Sequence, residues 1–306
     1  MKEKNKLLFV IFVVLVLCAV GVMAGHGYDK NFRGYDKKGI TGEISFSDVD
    51  GRDMVMIVKR GLIVGVEEIV APEPDFPVDG LVSYYKLDEV SGDNVLDSYG
   101  DNDGINDGAT QNVDGKIGGA YSFLQKTSNK INFGTSNFNF QANESFTMSG
   151  WFYSNFVESD SDMHLFQRIQ SSYPWNGYGL AYRYRSDGTK RFQLDIIGSN
   201  GGSYVWNNYN MPLGEWLYIV FTYDGSENPM GLRTYVNGEE IPQTTVSGTF
   251  SGYIPSDIDM DIGGRTGIES SSWGGKIDEV GIWDRVLTDD EIANLYNNGN
   301  GLTYNP

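Results

Sequence analysis

Three sets of side chains in this 306-residue chain have the types and spacing to do chemistry. In Asp257-Ile-Asp-Met-Asp261 the acids fall at alternate positions, so a strand there presents Asp257, Asp259 and Asp261 on one face. Two carboxylates converging on a cleft are what glycoside hydrolysis uses, one as acid and one as base or nucleophile. In Asp97-Ser-Tyr-Gly-Asp-Asn-Asp103, Asp97, Asp101, Asn102 and Asp103 crowd into a single loop. Carboxylates at that density repel each other without a cation, and their hard oxygens suit Ca²⁺. The plainer reading is a turn in which Asp97 and Asn102 bond their own backbone.

The third set is aromatic. Trp175 and Tyr178 in Ser171-Ser-Tyr-Pro-Trp-Asn-Gly-Tyr178, Trp206 and Tyr209 in Trp206-Asn-Asn-Tyr-Asn210, and Trp273 all neighbour Gly, Asn or Pro. Flat rings flanked by amides suit sugars: ring faces stack on pyranose C–H surfaces while Asn176, Asn207 or Asn208 reads hydroxyls. The plainer alternative is that these rings cap the ends of a β-sandwich. Other chemistries are poorly served. His26 and His164 are the only histidines and lie far apart, no G-x-S-x-G elbow is present, and Cys18 is the only cysteine.

The elements that must position these groups are strands. Tyrosine (19) and tryptophan (6) are plentiful and 39 glycines punctuate the chain. About a dozen short strands are predicted between residues 81 and 283, with Asp187-Gly188, Asn200-Gly201, Asp224-Gly225 and Asn237-Gly238 as turns. No βαβ alternation, GxGxxG or P-loop interrupts them. Upstream, strands are predicted over 43–46, 53–58 and 62–69, separated by Asp50-Gly51 and Arg60-Gly61. Residues 71–78 hold three prolines and read as a stiff linker. Residues 25–70 therefore form a small β-rich segment of unknown role.

At the N-terminus, Lys2, Lys4 and Lys6 precede an apolar run over residues 7–24, the pattern of a signal peptide or, uncleaved, of a membrane anchor. Val22 and Ala24 suit a signal-peptidase cut, and cleavage is the preferred reading. Either way the remainder is exported to the cell surface or beyond. Residues 1–24 carry three lysines and one glutamate, so their removal takes the net charge from −18 to −20. Such a field repels nucleic acid and anionic membranes, leaving the N-terminal segment as the only membrane contact.

The closing stretch, Trp273 to Gly299, is a strand followed by a short helix. Simple alternation sets Ile277, Glu279, Gly281 and Trp283 on one face and Asp278, Val280 and Ile282 on the other, so neither face is cleanly apolar. Thr288 and Glu291 then form a capping box, Ile292, Leu295 and Tyr296 make an apolar stripe, and Gly299 is the expected stop. Trp151, Trp216 and Trp283 are assigned to the sandwich interior.

Taken in order, several segments carry a family resemblance. They are Gly80-Leu-Val-Ser-Tyr-Tyr-Lys-Leu-Asp, Asp114-Gly-Lys-Ile-Gly-Gly-Ala-Tyr-Ser-Phe123, Ser145-Phe-Thr-Met-Ser-Gly-Trp-Phe152, Gly214-Glu-Trp-Leu-Tyr-Ile-Val-Phe-Thr-Tyr-Asp-Gly225, Leu232-Arg-Thr-Tyr-Val-Asn-Gly238 and Gly275-Lys-Ile-Asp-Glu-Val-Gly-Ile-Trp283. Residues 79–302 resemble the LamG-like jelly roll of the concanavalin A-like lectin/glucanase superfamily. The resemblance implies an all-β, two-sheet antiparallel sandwich with a short C-terminal helix. It further implies a structural Ca²⁺ where the 97–103 loop meets the last strand, with Asp97 and Asp278 as matching positions and Asp101 and Asp103 as additional candidates. Some relatives are glycosidases, but their catalytic strand carries glutamates that Asp257–Asp261 lacks. The expectation is an exported non-catalytic module binding a polysaccharide or glycoconjugate. The alternatives are a glucanase-like hydrolase and a surface-layer module that adheres to a surface protein.

Overall fold

A computed structural model describes residues 35–36, 39–40, 42–47, 53–59, 62–68, 74–156 and 161–306. The apolar N-terminal run, His26, the turns at Asp50-Gly51 and Arg60-Gly61 and the first linker residues lie outside the described residues. The chain divides into two units, Met1–Glu73 and Pro74–Pro306. In the first, β1 (Tyr35–Asp36) pairs with β2 (Gly39–Ile40), and β3 (Gly42–Ser47), β4 (Asp53–Lys59) and β5 (Leu62–Glu68) form an antiparallel meander. No helix among the described residues is long and apolar enough to cross a membrane.

The second unit is built from strands β6 (Leu81–Tyr85), β7 (Asn94–Val95), β8 (Gly104–Asp107), β9 (Thr110–Asp114), β10 (Gly119–Phe123), β11 (Lys130–Asn132), β12 (Phe146–Ser154), β13 (Ser161–Ile169), β14 (Gly177–Tyr184), β15 (Lys190–Gly198), β16 (Gly201–Asn208), β17 (Trp216–Tyr223), β18 (Leu232–Val236), β19 (Glu239–Glu240), β20 (Thr245–Gly248), β21 (Asp261–Ile262) and β22 (Gly275–Trp283). One sheet runs β19-β18-β17-β12-β22-β10-β9, with β6 also on β22; the other runs β20-β16-β15-β14-β13-β21-β11-β8-β7. All pairings are antiparallel, and the architecture is the expected two-sheet sandwich.

Alternation explains the layers. Met148 and Phe152 of β12, Leu180 and Tyr182 of β14, Phe192 and Leu194 of β15, and Phe221 of β17 point between the sheets into one continuous core. The intervening positions of β12 and β17 face the other way. There Trp151, Tyr218 and Val220 join Leu81, Tyr84, Trp283, Ile292 and Leu295 in a second apolar cluster, on the outer face of the eight-stranded sheet. Trp151 and Trp283, expected in the sandwich interior, are instead buried on this outer face, and Trp216 is only partly buried there. What covers them is the helix α1 (Asp289–Tyr296). Each large side chain buried there contributes roughly 1.5–3 kcal/mol.

The helix begins as its sequence predicts: Thr288 caps the Glu291 amide and Glu291 reaches back to the Thr288 amide. Its end differs. Asn297, at φ 47°, supplies the left-handed cap and its N–H bonds to Ala293 O, so the helix stops before Gly299. Asparagine tolerates this conformation better than most residues, and that decides the boundary.

The mixed faces of β22 are reconciled by a β-bulge. Trp151 pairs with Asp278 and Ser149 with Gly281, so the register slips by one residue between them. Glu279 sits at φ 50°, a left-handed conformation that costs a non-glycine residue energy. The extra residue restores parity. Ile277, Val280 and Ile282 all enter the inter-sheet core, while Asp278, Glu279 and Trp283 fall on the helix-covered side. Gly281 lies beneath the Trp283 indole, where a Cβ would stand 2.3 Å from the ring.

Candidate functional site

The outer face of the nine-stranded sheet holds a polar trough. On β14 and β15, Tyr182, Phe192 and Leu194 turn inward, which leaves Arg183, Arg191, Gln193 and Asp195 pointing out. On β13 a bulge between His164 and Phe166 puts His164 and Gln167 on that same side. Arg265, just after β21, reaches over and donates to Gln170 O. Two cavities result. One of about 410 Å³ is lined by Asp162, His164, Trp175, Arg183, Arg185 and Arg265 among others. The other, of about 310 Å³, shares Trp175, Arg183 and Arg265 and adds Gln193 and Asp195. Both fall near the lower end of the ~300–1,000 Å³ of small-ligand sites.

The trough is held by its own bonds. Trp206 Nε1 donates to Gln193 Oε1 at 2.9 Å, and Gln193 Nε2 donates to both Asp195 oxygens at 2.8 and 3.0 Å. The Arg191 guanidinium lies 3.6 Å from the Trp206 ring centre. Asp162 pairs with Arg185 at 2.8 Å and, more loosely, with Arg183 at 3.6 Å. Burial raises the Asp195 carboxyl above its ordinary range. Burial, with the Arg265 charge beside it, holds His164 down to about 3, so its ring is neutral at physiological pH.

Only one of the five aromatics predicted to bind ligand is free to do so. Trp175 is 49% exposed at the rim, and Tyr173, not singled out in the sequence, is 81% exposed beside it, the rings edge-to-face at 5.6 Å. Trp273 is 0% exposed, wedged against Phe152 and Phe156 with Nε1 donating to Tyr153 O. Tyr178 is 1% exposed, its hydroxyl donating to Phe138 O. Tyr209 stacks on Phe192 at the core's edge. Trp206 is on strand β16, not in a loop, and packs between Arg191 and Tyr204. Trp273, Tyr178 and Tyr209 thus cap or fill the sandwich, the plainer of the two readings.

Of Asp257, Asp259 and Asp261 only Asp261 lies on a strand, β21, although Ile258 and Met260 between them are buried in the core. Asp261 is spent structurally, accepting from Asn132 Nδ2 at 2.7 Å and from Thr266 N and Oγ1. Asp257 and Asp259 line a smaller cavity of about 200 Å³ with Gln170, Ser171, Ser172 and Thr266.

The four expected calcium ligands are not brought together. Among the described residues no group of three or more His, Cys, Asp or Glu is gathered for a metal. Asp97 Oδ1 accepts from the amides of Tyr84, Tyr99 and Gly100 at 2.9–3.0 Å, and Oδ2 from Asn102 N at 3.2 Å. Asp103 Oδ1 accepts from Asp97 N, and Asp101 is exposed. That loop is the self-bonded turn, and its donor set does not fit a cation. Asp278 lies elsewhere, 0% exposed, with Oδ2 accepting from Lys116 N and Ile117 N at 2.7 and 3.0 Å. Glu279, brought to the same side by the bulge, accepts from the Tyr84 hydroxyl. Asp278 Oδ1 and Glu279 Oε1 are buried without partners. Burial pushes Asp278 up to about 8 and Glu279 up to about 7. Two unpartnered carboxylate oxygens, with Asp88 adding its charge, suit protons, and supply only part of the about six to eight oxygens that a Ca²⁺ takes.

The arginines were missed because no local motif contains them. Their signal was the alternation in Tyr182-Arg-Tyr-Arg185 and Arg191-Phe-Gln-Leu-Asp195, which sets polar residues outward without saying what they face.

Comparisons with known proteins agree with this architecture. A human adhesion G-protein coupled receptor D1 is 34% identical over 93 residues, 30% of this chain and 10% of the receptor. The chain thus spans about a tenth of that relative. A Trypanosoma rangeli sialidase mutant displaying trans-sialidase activity superposes with a TM-score of 0.56 at 17% identity, over 74% of this chain and 34% of that one. The binding domain of Paraclostridial Mosquitocidal Protein 1 superposes with a TM-score of 0.53 at 16% identity, over 72% of this chain and 52% of that one. At such identities the two structures speak to fold alone. Residues 124–293 match the superfamily itself, more than half of the sequence, and the chain belongs to the concanavalin A-like lectin/glucanases superfamily.

Proposed function

We propose that the protein is an exported, non-catalytic carbohydrate-binding module acting in adhesion at the cell surface, and that its ligand lies in the trough under Trp175. The observation that carries this is the exposed Tyr173–Trp175 pair at the rim of a polar cavity, in a domain whose other tryptophans are buried or partly buried. An exposed ring beside fixed polar groups gives a sugar a stacking surface and hydrogen-bond partners together. The lectin-like family supports the reading, and so does a relative named as an adhesion receptor. Glycan-array binding by the full chain should be lost in Trp175→Ala while the melting temperature is unchanged. Binding that survives Trp175→Ala, or capture of a surface protein with no glycan bound, refutes it.

A hydrolase is the second reading, favoured by the cavity that Asp257 and Asp259 line beside the trough. Release of reducing sugar from a β-glucan, abolished by Asp259→Asn, would establish it. The same proposal assigns a structural Ca²⁺ to Asp278 and Glu279. The ion would neutralise the buried carboxylates and tie the last strand to the 115–119 turn, without taking part in ligand chemistry.

A further inference from the structure

We propose that the trough is an anion site: it takes the carboxylate or sulfate of an acidic saccharide, held by Arg183 and Arg265 beneath Trp175. This rests on the carbohydrate-binding reading and adds the ligand's charge class. The chain has 41 acidic against 23 basic residues, yet Arg183, Arg185, Arg191 and Arg265 gather on one face of one sheet. They are close enough that burial and then the charges of Arg183 and Arg185 lower the Arg191 guanidinium. Such crowding costs energy unless something negative completes it.

The carboxylates at hand offset the arginines only in part: Asp195, Asp261 and Asp162 act on Arg265, and Asp162 and Asp187 on Arg191, yet burial still leaves both guanidiniums lowered. Asp162 makes its short contact to Arg185 and leaves Arg183 at 3.6 Å. Asp195 accepts two bonds from Gln193, and Asp261 is held by Asn132 and Thr266. The Nε atoms of Arg183, Arg191 and Arg265 are buried without hydrogen-bond partners. So are His164 Nδ1, on a ring 5% exposed that lines the larger cavity, and both amide atoms of Gln167. Arg183 and Arg265 line both cavities together with Trp175. A guanidinium fork matches the planar oxygen pair of a carboxylate or two oxygens of a sulfate. A sugar ring bearing that group then lies within reach of the Trp175 face. Asp162 and Asp195 limit the site to a single charged group. At physiological salt, screening over ~8 Å hides the chain's net negative charge from a ligand in contact with the trough.

Two matched pairs of polymers test this at physiological salt: polygalacturonate against its methyl ester, and dextran sulfate against dextran, with affinities from titration calorimetry. At least one charged polymer should bind roughly tenfold or more tightly than its neutral partner. Arg183→Gln and Arg265→Gln should each erase that preference while the melting temperature holds. Arg265→Lys, which keeps charge but not the fork, should reduce the preference without abolishing it and guards against a folding defect in the glutamine variants. Preference for polygalacturonate alone identifies a uronate as the source, and for dextran sulfate alone a sulfate ester. Equal binding of charged and neutral polymers, lost in Trp175→Ala, overturns the anion site and leaves the carbohydrate reading standing. A charge preference untouched by the arginine variants also overturns it. No binding to any polymer or array glycan overturns both.

Discussion

Replacing Asp278 by Asn should alter how stability depends on pH more than it alters stability at any one pH. The Asp278 carboxyl is fully buried, its Oδ2 held by two amides and its Oδ1 unpartnered, and burial carries it to about 8. An unfolded aspartate titrates near ~3.9. Between these values the folded state holds a proton that the unfolded state has released. Stability therefore falls as pH rises through that window, by about 1.4 kcal/mol per pH unit, and the loss is complete above the folded value. Between about pH 5 and about pH 7 the Asp278 contribution is a loss of about 3 kcal/mol. Other groups contribute to the wild-type curve. Glu279, at about 7, has the same sign, whereas His164, at about 3, acts oppositely until the unfolded imidazole deprotonates. Glu291, held down to about 2 by its bidentate Arg285 partner, has already given its full contribution at the lower pH. The difference between wild type and Asp278→Asn removes the groups remote from this carboxyl, such as Glu291, while Glu279, whose charge raises Asp278, is coupled to it. Urea unfolding with EGTA present should show the variant gaining on the wild type by about 3 kcal/mol across that interval. A flat difference, or one of opposite sign, refutes the assignment of a proton to this carboxyl.

Three further outcomes are expected. Without EGTA, millimolar Ca²⁺ should raise the wild-type melting temperature and flatten its pH slope, and do neither in Asp278→Asn; no shift would remove the ion from the proposal. Gly281→Ala should cost about 1–3 kcal/mol in urea unfolding, because its Cβ would enter the Trp283 ring at 2.3 Å. Thr288→Ala should cost about 1 kcal/mol by loss of the cap, with the unfolding slope unchanged; a neutral result would mean that α1 is held by packing alone.

What was legible in the sequence was the local pattern. Asn237-Gly238 is a two-residue turn with both φ values positive, 54° and 85°, joining β18 to β19 as an Asn-Gly pair predicts. The strands β12, β14, β15 and β17 were legible as strands, but the choice of face was not: Trp151 and Trp216, expected in the interior, lie on the helix-covered side. Strands β7, β8, β9, β19 and β20 were not predicted, because they are short or edge-lying and mostly polar. The bulge at Glu279 was visible only as a failure of two-residue alternation. The trough was less legible still. Gln193 and Trp206 are neighbours because β15 pairs with β16, and Arg265 arrives from 70 residues beyond Asp195 in sequence. The loop aromatics divided for the same reason: composition places a ring in a turn, and only the layers above and below decide that Tyr178 and Trp273 are covered while Trp175 is not.

The second apolar cluster has a mechanical consequence. Phe76, where the chain enters the sandwich unit, and Tyr304, near where it leaves, touch with ring centres 5.7 Å apart. Pro77 O accepts from Trp283 Nε1, and both aromatics pack on the helix-covered sheet. The two ends of the unit are thereby tied to each other through side chains rather than through a β-ladder. The trough opens on the opposite sheet. Under the proposed binding reading, a pull on a ligand held there would cross both sheets before it reached Phe76 and Tyr304.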